Sequence, residues 1–255
     1  MTRPSARSSK RCPMDEKVYH IIENRLIATK TFRLLLEGDG DIGGEFVDIA
    51  LPGFYLRRPL SICDRGPGRI TVVYKVVGEG TKALSGMPAG TPLKVLTGLG
   101  RGFDPDACTS EALLVGGGLG VPPLYLLAKE LKDQGKRVTA VLGFNKADEI
   151  ILTDEFRAVC DEVLVSTADG SVGIRGFVTD VIRQKGIRFD YFYACGPVPM
   201  LKAVCGAVPG PGEVSMEERM GCGAGFCYGC SIQTVNGPRR VCKDGPVFKK
   251  EEIRW

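Results

Sequence analysis

The chain has a single histidine. Among its 255 residues only His20 carries an imidazole, in an N-terminal segment where a surface position is expected. That removes Ser-His and Cys-His nucleophilic catalysis from consideration. Long apolar runs are missing too. An apolar stretch without charge, 112–128, holds four glycines and two prolines, which no clean membrane helix tolerates. The N-terminus lacks the apolar core of a signal peptide. Nor does the body carry excess charge. Arg3, Arg7, Lys10 and Arg11 lie in the first thirteen residues with no acid, so the other thirty bases balance thirty acids. A neutral body argues against a nucleic-acid footprint. The basic segment reads as disordered, with Met14 a candidate start. A mean hydropathy near zero fits a soluble, cytoplasmic protein.

Cysteine is what the chain has in quantity, ten in all. Cys12, Cys63, Cys108, Cys160, Cys195 and Cys205 are scattered, as reduced thiols of a cytosolic protein would be. The other four cluster as Cys222-x4-Cys227-x2-Cys230, with Cys242 after eleven more residues. Spacing of four then two is that of plant-type [2Fe–2S] ferredoxins. Zinc ribbons more often show two separated C-x-x-C pairs. Gly221, Gly223, Gly225 and Gly229 interleave the thiols, so the backbone can wrap closely and aim N–H groups at sulfur. A structural zinc site is the alternative.

The grammar changes along the chain. Residues 14–107 read as β structure, with short runs at 18–22, 31–36, 46–49 and 70–77 separated by turn residues, and a small barrel is the expected closure. Residues 108–212 alternate strands at 112–115, 137–144, 161–167 and 189–194 with helices at 122–134, 150–159, 176–184 and 199–207. A fifth strand is expected at 213–216. Such alternation predicts a parallel sheet. Residues 213–255 form a third unit, too poor in apolar residues to fold without its metal centre.

Three further motifs carry chemistry. Gly116-Gly117-Gly118-Leu119-Gly120 follows a strand and opens a helix, offering unpaired N–H groups to a pyrophosphate; a ligand-free tight turn competes with that reading. Cys195-Gly196-Pro197 ends the fourth strand, which should flank the same crevice as the first. Cys195 is placed near a nicotinamide there, with no covalent role. In the barrel, Arg58-Pro59-Leu60-Ser61 joins a phosphate-binding fork to a hydroxyl suited to a flavin ring nitrogen. Val73-Tyr74-Lys75 and Gly80-Thr81 add an aromatic face, a cation and a turn with free amides. A flavin site is the expectation, and surface arginines, a core tyrosine and a plain hairpin the dull alternatives.

Together RRPLSIC (57–63), VYKVVGEGT (73–81), GGGLGVPPLYLLAKEL (116–131), TADGSVGIRGFVTD (167–180), CGPVPML (195–201), EERMGCGAGFCYGC (217–230) and CKDGPVF (242–248) resemble the electron-transfer subunits of type B, NAD-dependent dihydroorotate dehydrogenases, within the ferredoxin–NADP reductase superfamily. The resemblance runs from about residue 16 to the end. It implies a ferredoxin-reductase-like fold: an FAD-binding antiparallel β-barrel, a five-stranded parallel Rossmann-like nucleotide domain and a small C-terminal [2Fe–2S] domain. It implies that Arg58, Pro59, Leu60, Ser61, Val73, Tyr74, Lys75, Gly80 and Thr81 hold FAD, and that Cys222, Cys227, Cys230 and Cys242 ligate the cluster. It also implies an FMN-containing catalytic partner, in a heterotetramer of two of each subunit, whose electrons pass through the cluster and FAD to NAD⁺ in pyrimidine biosynthesis. No general base is evident in this chain and none is needed. Leu60 departs from the tyrosine that many reductases place before the motif serine. Asp169 would favour an unphosphorylated ribose. A reductase subunit serving sulfite reductase, a hydrogenase or a ferredoxin:NADP transhydrogenase is the rival of the same architecture.

Overall fold

The computed structural model describes residues 13–39 and 43–255. The basic segment expected to be disordered, with Cys12, lies outside the described residues. Six antiparallel strands close a barrel in the order β1-β2-β5-β4-β3-β6: β1 (Asp15–Ala28), β2 (Thr31–Gly38), β3 (Phe46–Ile49), β4 (Arg58–Gly66), β5 (Arg69–Lys75) and β6 (Pro92–Leu99). Helix α1 (Glu79–Ser85) connects the last two. Alternation drives the closure. In β6, Leu93 and Val95 turn inward, and they meet Tyr19, Ile21, Leu34, Leu36, Ile62 and Val72 in the barrel core. Each such side chain contributes about 1.5–3 kcal/mol on burial. His20, on the outward phase of β1, is exposed as expected.

The second unit alternates β7 (Glu111–Gly117), α2 (Val121–Asp133), β8 (Arg137–Phe144), α3 (Thr153–Val159), β9 (Glu162–Thr167), β10 (Ile174–Arg175), α4 (Val178–Lys185), β11 (Tyr191–Cys195), α5 (Val198–Ala207) and β12 (Gly212–Ser215). The expected five parallel strands are present, in the order β9-β8-β7-β11-β12. The sheet is nonetheless seven-stranded, because β10 adds a short parallel edge and β15 (Val247–Lys249) an antiparallel one. Between β12 and β15 the chain forms the hairpin β13 (Ser231–Thr234) and β14 (Gly237–Arg240), then helix α6 (Val241–Asp244). Strand order reverses between β7 and β11, which pair in parallel register.

The three units share cores. On α2, Leu124, Leu127, Ala128 and Leu131 are buried at helical spacing, in one cluster with Cys63 and Val73 from the barrel's outer face. Lys129 of α2 reaches Asp64 of β4 at 2.7 Å, and Asp148 accepts the Thr29 hydroxyl proton at 2.9 Å. The C-terminal unit does not rely on a metal centre alone for its interior: Cys230, Val241, Phe248 and Ile253 pack with Phe46, Leu99, Val214 and Met216. The expected boundary between 212 and 213 falls inside β12.

Candidate functional site

Gly116-Gly117-Gly118-Leu119-Gly120 and Cys195-Gly196-Pro197 come together at the carboxyl ends of β7 and β11. Gly116 is in register with Cys195. A side chain on Gly120 would collide with the Cys195 carbonyl, and one on Gly117 with Met200 and Pro197. The loop therefore presses flat onto the strand end. Pro122 and Pro123 open α2, where no N–H partner is lost. Beside the loop lies a cavity of about 440 Å³, lined among others by Gly118, Asn145, Ser166, Phe177 and Met200. The Ser166 hydroxyl is fully buried there and has no partner among the described residues. A roomy, mostly apolar cleft with one unpaired hydroxyl at a switch point fits a dinucleotide. Ser166, Asn145 and Phe177 were missed in the sequence; the signal that reaches Ser166 is its place at the end of the third parallel strand. Asp169 is engaged locally, accepting the N–H (2.9 Å) and hydroxyl (2.6 Å) of Ser171. Burial, reinforced by the charge of Glu217, pushes the Cys195 thiol up to about 12, so it stays protonated and offers no nucleophile.

On the barrel, Arg58 covers the first turn of α1. Its guanidinium lies 5.0 Å from the Phe54 ring centre and fills the space that a side chain on Gly80 would need. The residues expected to form a turn with free amides are thus a helix start. Thr81 organises it: its hydroxyl oxygen accepts from the N–H of Val77 (3.0 Å) and Gly78 (3.2 Å) and its proton goes to the Gly78 carbonyl. On β4, Leu60 packs on the barrel core while Ser61 is exposed. The Tyr74 ring, expected to offer an aromatic face, instead points into the barrel. It stacks on Phe32 with ring centres 5.7 Å apart and donates to Asn24 Oδ1 at 2.9 Å. Strand alternation sends Val73 the other way, into the interface with α2. Only the backbones of Val73 and Tyr74 remain for a ligand. Lys75 is paired with Glu149 at 3.0 Å. Arg58 over the Gly80 turn supplies a cation, and Ser61 an exposed hydroxyl on the same strand, groups that fit a bound flavin nucleotide.

The four C-terminal cysteines associate as two pairs. All four are free thiols; the Cys222 side chain is within hydrogen-bond reach of that of Cys227, and the Cys242 side chain of that of Cys230. Among the described residues no three His, Cys, Asp or Glu side chains gather tightly enough for a single ion. Two thiols per side suit a two-iron cluster, which takes two thiolates on each iron, better than a tetrahedral zinc ion. Backbone donors surround the sulfurs: Phe226 and Cys227 N–H approach Cys222 Sγ at 3.2 and 3.4 Å, Gly229 N–H approaches Cys227 Sγ at 3.5 Å, and Cys242 N–H approaches Cys230 Sγ at 3.4 Å. Burial opposes ionisation of Cys222, yet the N–H groups of Cys227, Ala224 and Phe226 bring its thiol down to about 6. Arg240, missed in the sequence, staples the loop. It donates to the Gly225 carbonyl at 2.9 Å, pairs with Asp244 at 3.1 Å and lies 4.8 Å over the Tyr228 ring.

A six-stranded barrel, a parallel sheet with its switch point at a glycine loop, and paired thiols ringed by N–H donors define a ferredoxin-reductase-type protein with an iron–sulfur unit appended. Residues 217–254 match the family described as the iron-sulfur cluster binding domain of dihydroorotate dehydrogenase B, and 114–206 match the oxidoreductase NAD-binding domain. The chain belongs to the family of dihydroorotate dehydrogenase B (NAD(+)) electron transfer subunits. It is 44% identical to the member from Fusobacterium nucleatum over 91% of this chain and 95% of that one. The Geobacillus thermodenitrificans member is 43% identical over 91% and 96%. Among solved structures, an NADH-dependent reduced ferredoxin-NADP oxidoreductase is similar with a TM-score of 0.85 at 34% identity, covering 93% of this chain and 90% of that one. A ferredoxin NADP+ reductase from Neisseria gonorrhoeae shares the fold, with a TM-score of 0.66 at 13% identity over 76% and 90%.

Proposed function

We propose that this chain carries electrons between a catalytic dihydroorotate dehydrogenase subunit holding FMN and NAD⁺, in pyrimidine biosynthesis. The observation that supports it best is the 44% identity to a named electron transfer subunit over nearly the whole of both chains. In this reading residues 14–107 hold FAD, 108–212 hold NAD and 213–255 hold a [2Fe–2S] cluster. FAD supplies the exchange between two-electron hydride and one-electron chemistry, and the cluster supplies single-electron passage. The protein's part is to bind, orient and tune. Arg58 neutralises a flavin pyrophosphate over the first turn of α1, assisted by Gly80 and the loop that Thr81 fixes. Pro59, Leu60 and Ser61 border the ring system, with the backbones of Val73, Tyr74 and Lys75 completing the edge. Gly116, Gly117, Gly118 and Gly120 admit the dinucleotide against Cys195, Gly196 and Pro197. Cys222, Cys227, Cys230 and Cys242 ligate the cluster, and their N–H donors offset its negative charge. The assembly is a cytoplasmic heterotetramer of two subunits of each kind. No helix of the described residues is long and apolar enough to cross a membrane.

A second reading has one observation in its favour. The likeness at 34% identity to a ferredoxin-NADP oxidoreductase over 93% of this chain suits a reductase subunit serving another partner. Co-expression with the FMN subunit separates the two. The expected result is a yellow-brown complex with flavin and cluster absorbance that oxidises dihydroorotate with NAD⁺. A stable complex without that activity favours the second reading, and a colourless zinc protein refutes both.

A further inference from the structure

Asp48 is a carboxylate in an unlikely place. It lies on β3 at 2% exposure. Its Oδ1 has no hydrogen-bond partner among the described residues. Its Oδ2 lies against Gly223, the residue after Cys222, so closely that a Cβ there would sit 2.5 Å away. Gly223 has φ +62°, so glycine is favoured there on backbone grounds as well. Across the ladder from β3 to β4, Asp48 is directly opposite Pro59, and Phe46 opposite Ser61. Cross-strand partners share a face and alternate residues return to it. Asp48 therefore stands on the same outer face as Pro59 and Ser61, with the cysteine loop laid over it.

Burying an unpaired carboxylate is costly, and an apolar residue of similar size would hold the loop more cheaply. Its neighbours do not cancel its charge by pairing. Arg57 touches only its backbone carbonyl, at 3.4 Å, and is itself paired with Glu16. Arg58 donates to the Leu56 and Arg57 carbonyls. Burial pushes the Asp48 carboxyl up to about 6, against the pull of Arg57 and Arg58, which leaves it charged well above that pH.

We propose that Asp48 is an electrostatic positioning residue: it seats the Cys222 loop on the flavin edge of the barrel, and its charge holds down the reduction potential of the centre that loop carries. The proposal rests on reading the four cysteines as cluster ligands. A fixed negative charge beside a centre that gains an electron opposes the gain, and a low-dielectric contact transmits that opposition with little screening. A flavin bound at Pro59 and Ser61 would share that face, but Asp48 is in contact with the residue next to a cluster ligand, Gly223 beside Cys222. The cluster is therefore the centre more affected.

Asp48→Asn keeps the shape and removes the charge. In the reconstituted holoprotein at pH 8, an anaerobic redox titration followed by electron paramagnetic resonance should show the cluster potential shifted positive. Iron, sulfide and FAD contents should stay at wild-type levels. A cluster potential that does not move in a variant with full iron content overturns the electrostatic role. Should Asp48→Asn fold poorly, the contact itself is tested by a cycle. Gly223→Ala is expected to lose iron, and Asp48→Ala placed in the same chain to recover the part lost to the collision, the positive φ at Gly223 accounting for the remainder. A double variant no better than Gly223→Ala alone overturns the seating role. Absence of iron from the wild-type protein would overturn the cluster reading as well, and is read separately by metal analysis.

Discussion

Gly120 stands against the carbonyl of Cys195 with no room between them for a side chain. The contact joins two backbones, so no rotamer change can relieve a larger residue. Gly120→Ala should therefore cost about 1–3 kcal/mol of stability. It should also raise the KM for NADH by roughly tenfold, the equivalent of about 1.4 kcal/mol. Gly206→Ala, on an exposed turn of helix α5, is the control, because nothing lies within 4 Å of the added carbon and its backbone is helical. Thermal denaturation and NADH titration with an artificial acceptor measure both. Equal KM values for the two variants would contradict the role given to the contact.

Arg58→Ala should release FAD. A charge-assisted bond to phosphate is worth about 1.5–3 kcal/mol, so the Kd for FAD should rise by one to two orders of magnitude. Lysine should not restore it, since a point charge cannot reproduce a planar fork stacked on Phe54. Flavin fluorescence during ultrafiltration reads the outcome. FAD retention equal to wild type in Arg58→Ala would place the phosphate elsewhere.

Cys227→Ser should abolish the cluster's paramagnetic signal and the passage of electrons from the partner subunit. NADH oxidation by ferricyanide, which needs FAD alone, should persist. Cys227 is the exposed member of the four, so its replacement disturbs little packing. Parallel loss of both activities would mean that the cluster loop also supports the flavin edge.

Stability should fall as pH rises between about 4.5 and 7. Burial pushes Glu213 up to about 7 from 4.5, although it accepts the Asp104 N–H at 2.9 Å. Within that window the native state keeps a proton that the unfolded chain has released, so the slope is negative and flattens above pH 7. The full effect is roughly 3 kcal/mol. Glu213→Gln should remove its share of the slope, leaving that of Glu45, which burial raises to about 7 as well. Urea midpoints at pH 5 and 8 test this. An unchanged difference between the two pH values in the variant would show that Glu213 ionises freely in the native state.

What could be read in the sequence was what local pattern encodes. The run 137–144 became β8 without change because its residues are almost all apolar, Thr139 apart, between a charged start and a loop. The expected helix at 150–159 shortened to Thr153–Val159, where the chain turns only after Leu152. Two barrel strands, β4 and β6, were not marked as strands, since Pro59, Asp64 and Arg65 interrupt the apolar run of β4 and Pro92 and Gly98 read as turn residues in β6. Helix α1 was hidden by the two glycines of its start, and it forms because Thr81 ties the preceding loop to its own hydroxyl. Tyr74 could not be given a direction from composition, because its face depends on the register of β5 against β2. The nucleotide cavity draws Asn145, Ser166, Phe177 and Met200 from four separate elements, and only the strand order brings them into one wall. The cysteine cluster was legible because three of its four thiols fall within one short stretch of sequence, whereas Asp48 against Gly223 comes from a strand more than a hundred and seventy residues earlier.

Strand β15 has a consequence for how the molecule behaves in pieces. It pairs with β12 along Glu213↔Lys249, Val214↔Phe248 and Ser215↔Val247, so the last residues of the chain seal the open margin of the parallel sheet. An open margin is a template for adhesion to other chains. A fragment ending after β12, made to obtain the flavin and nucleotide units alone, would bare that margin together with the apolar side of Val214 and Met216. Self-association of the fragment follows from the topology, and the iron–sulfur segment acts as the built-in shield that keeps neighbouring molecules apart.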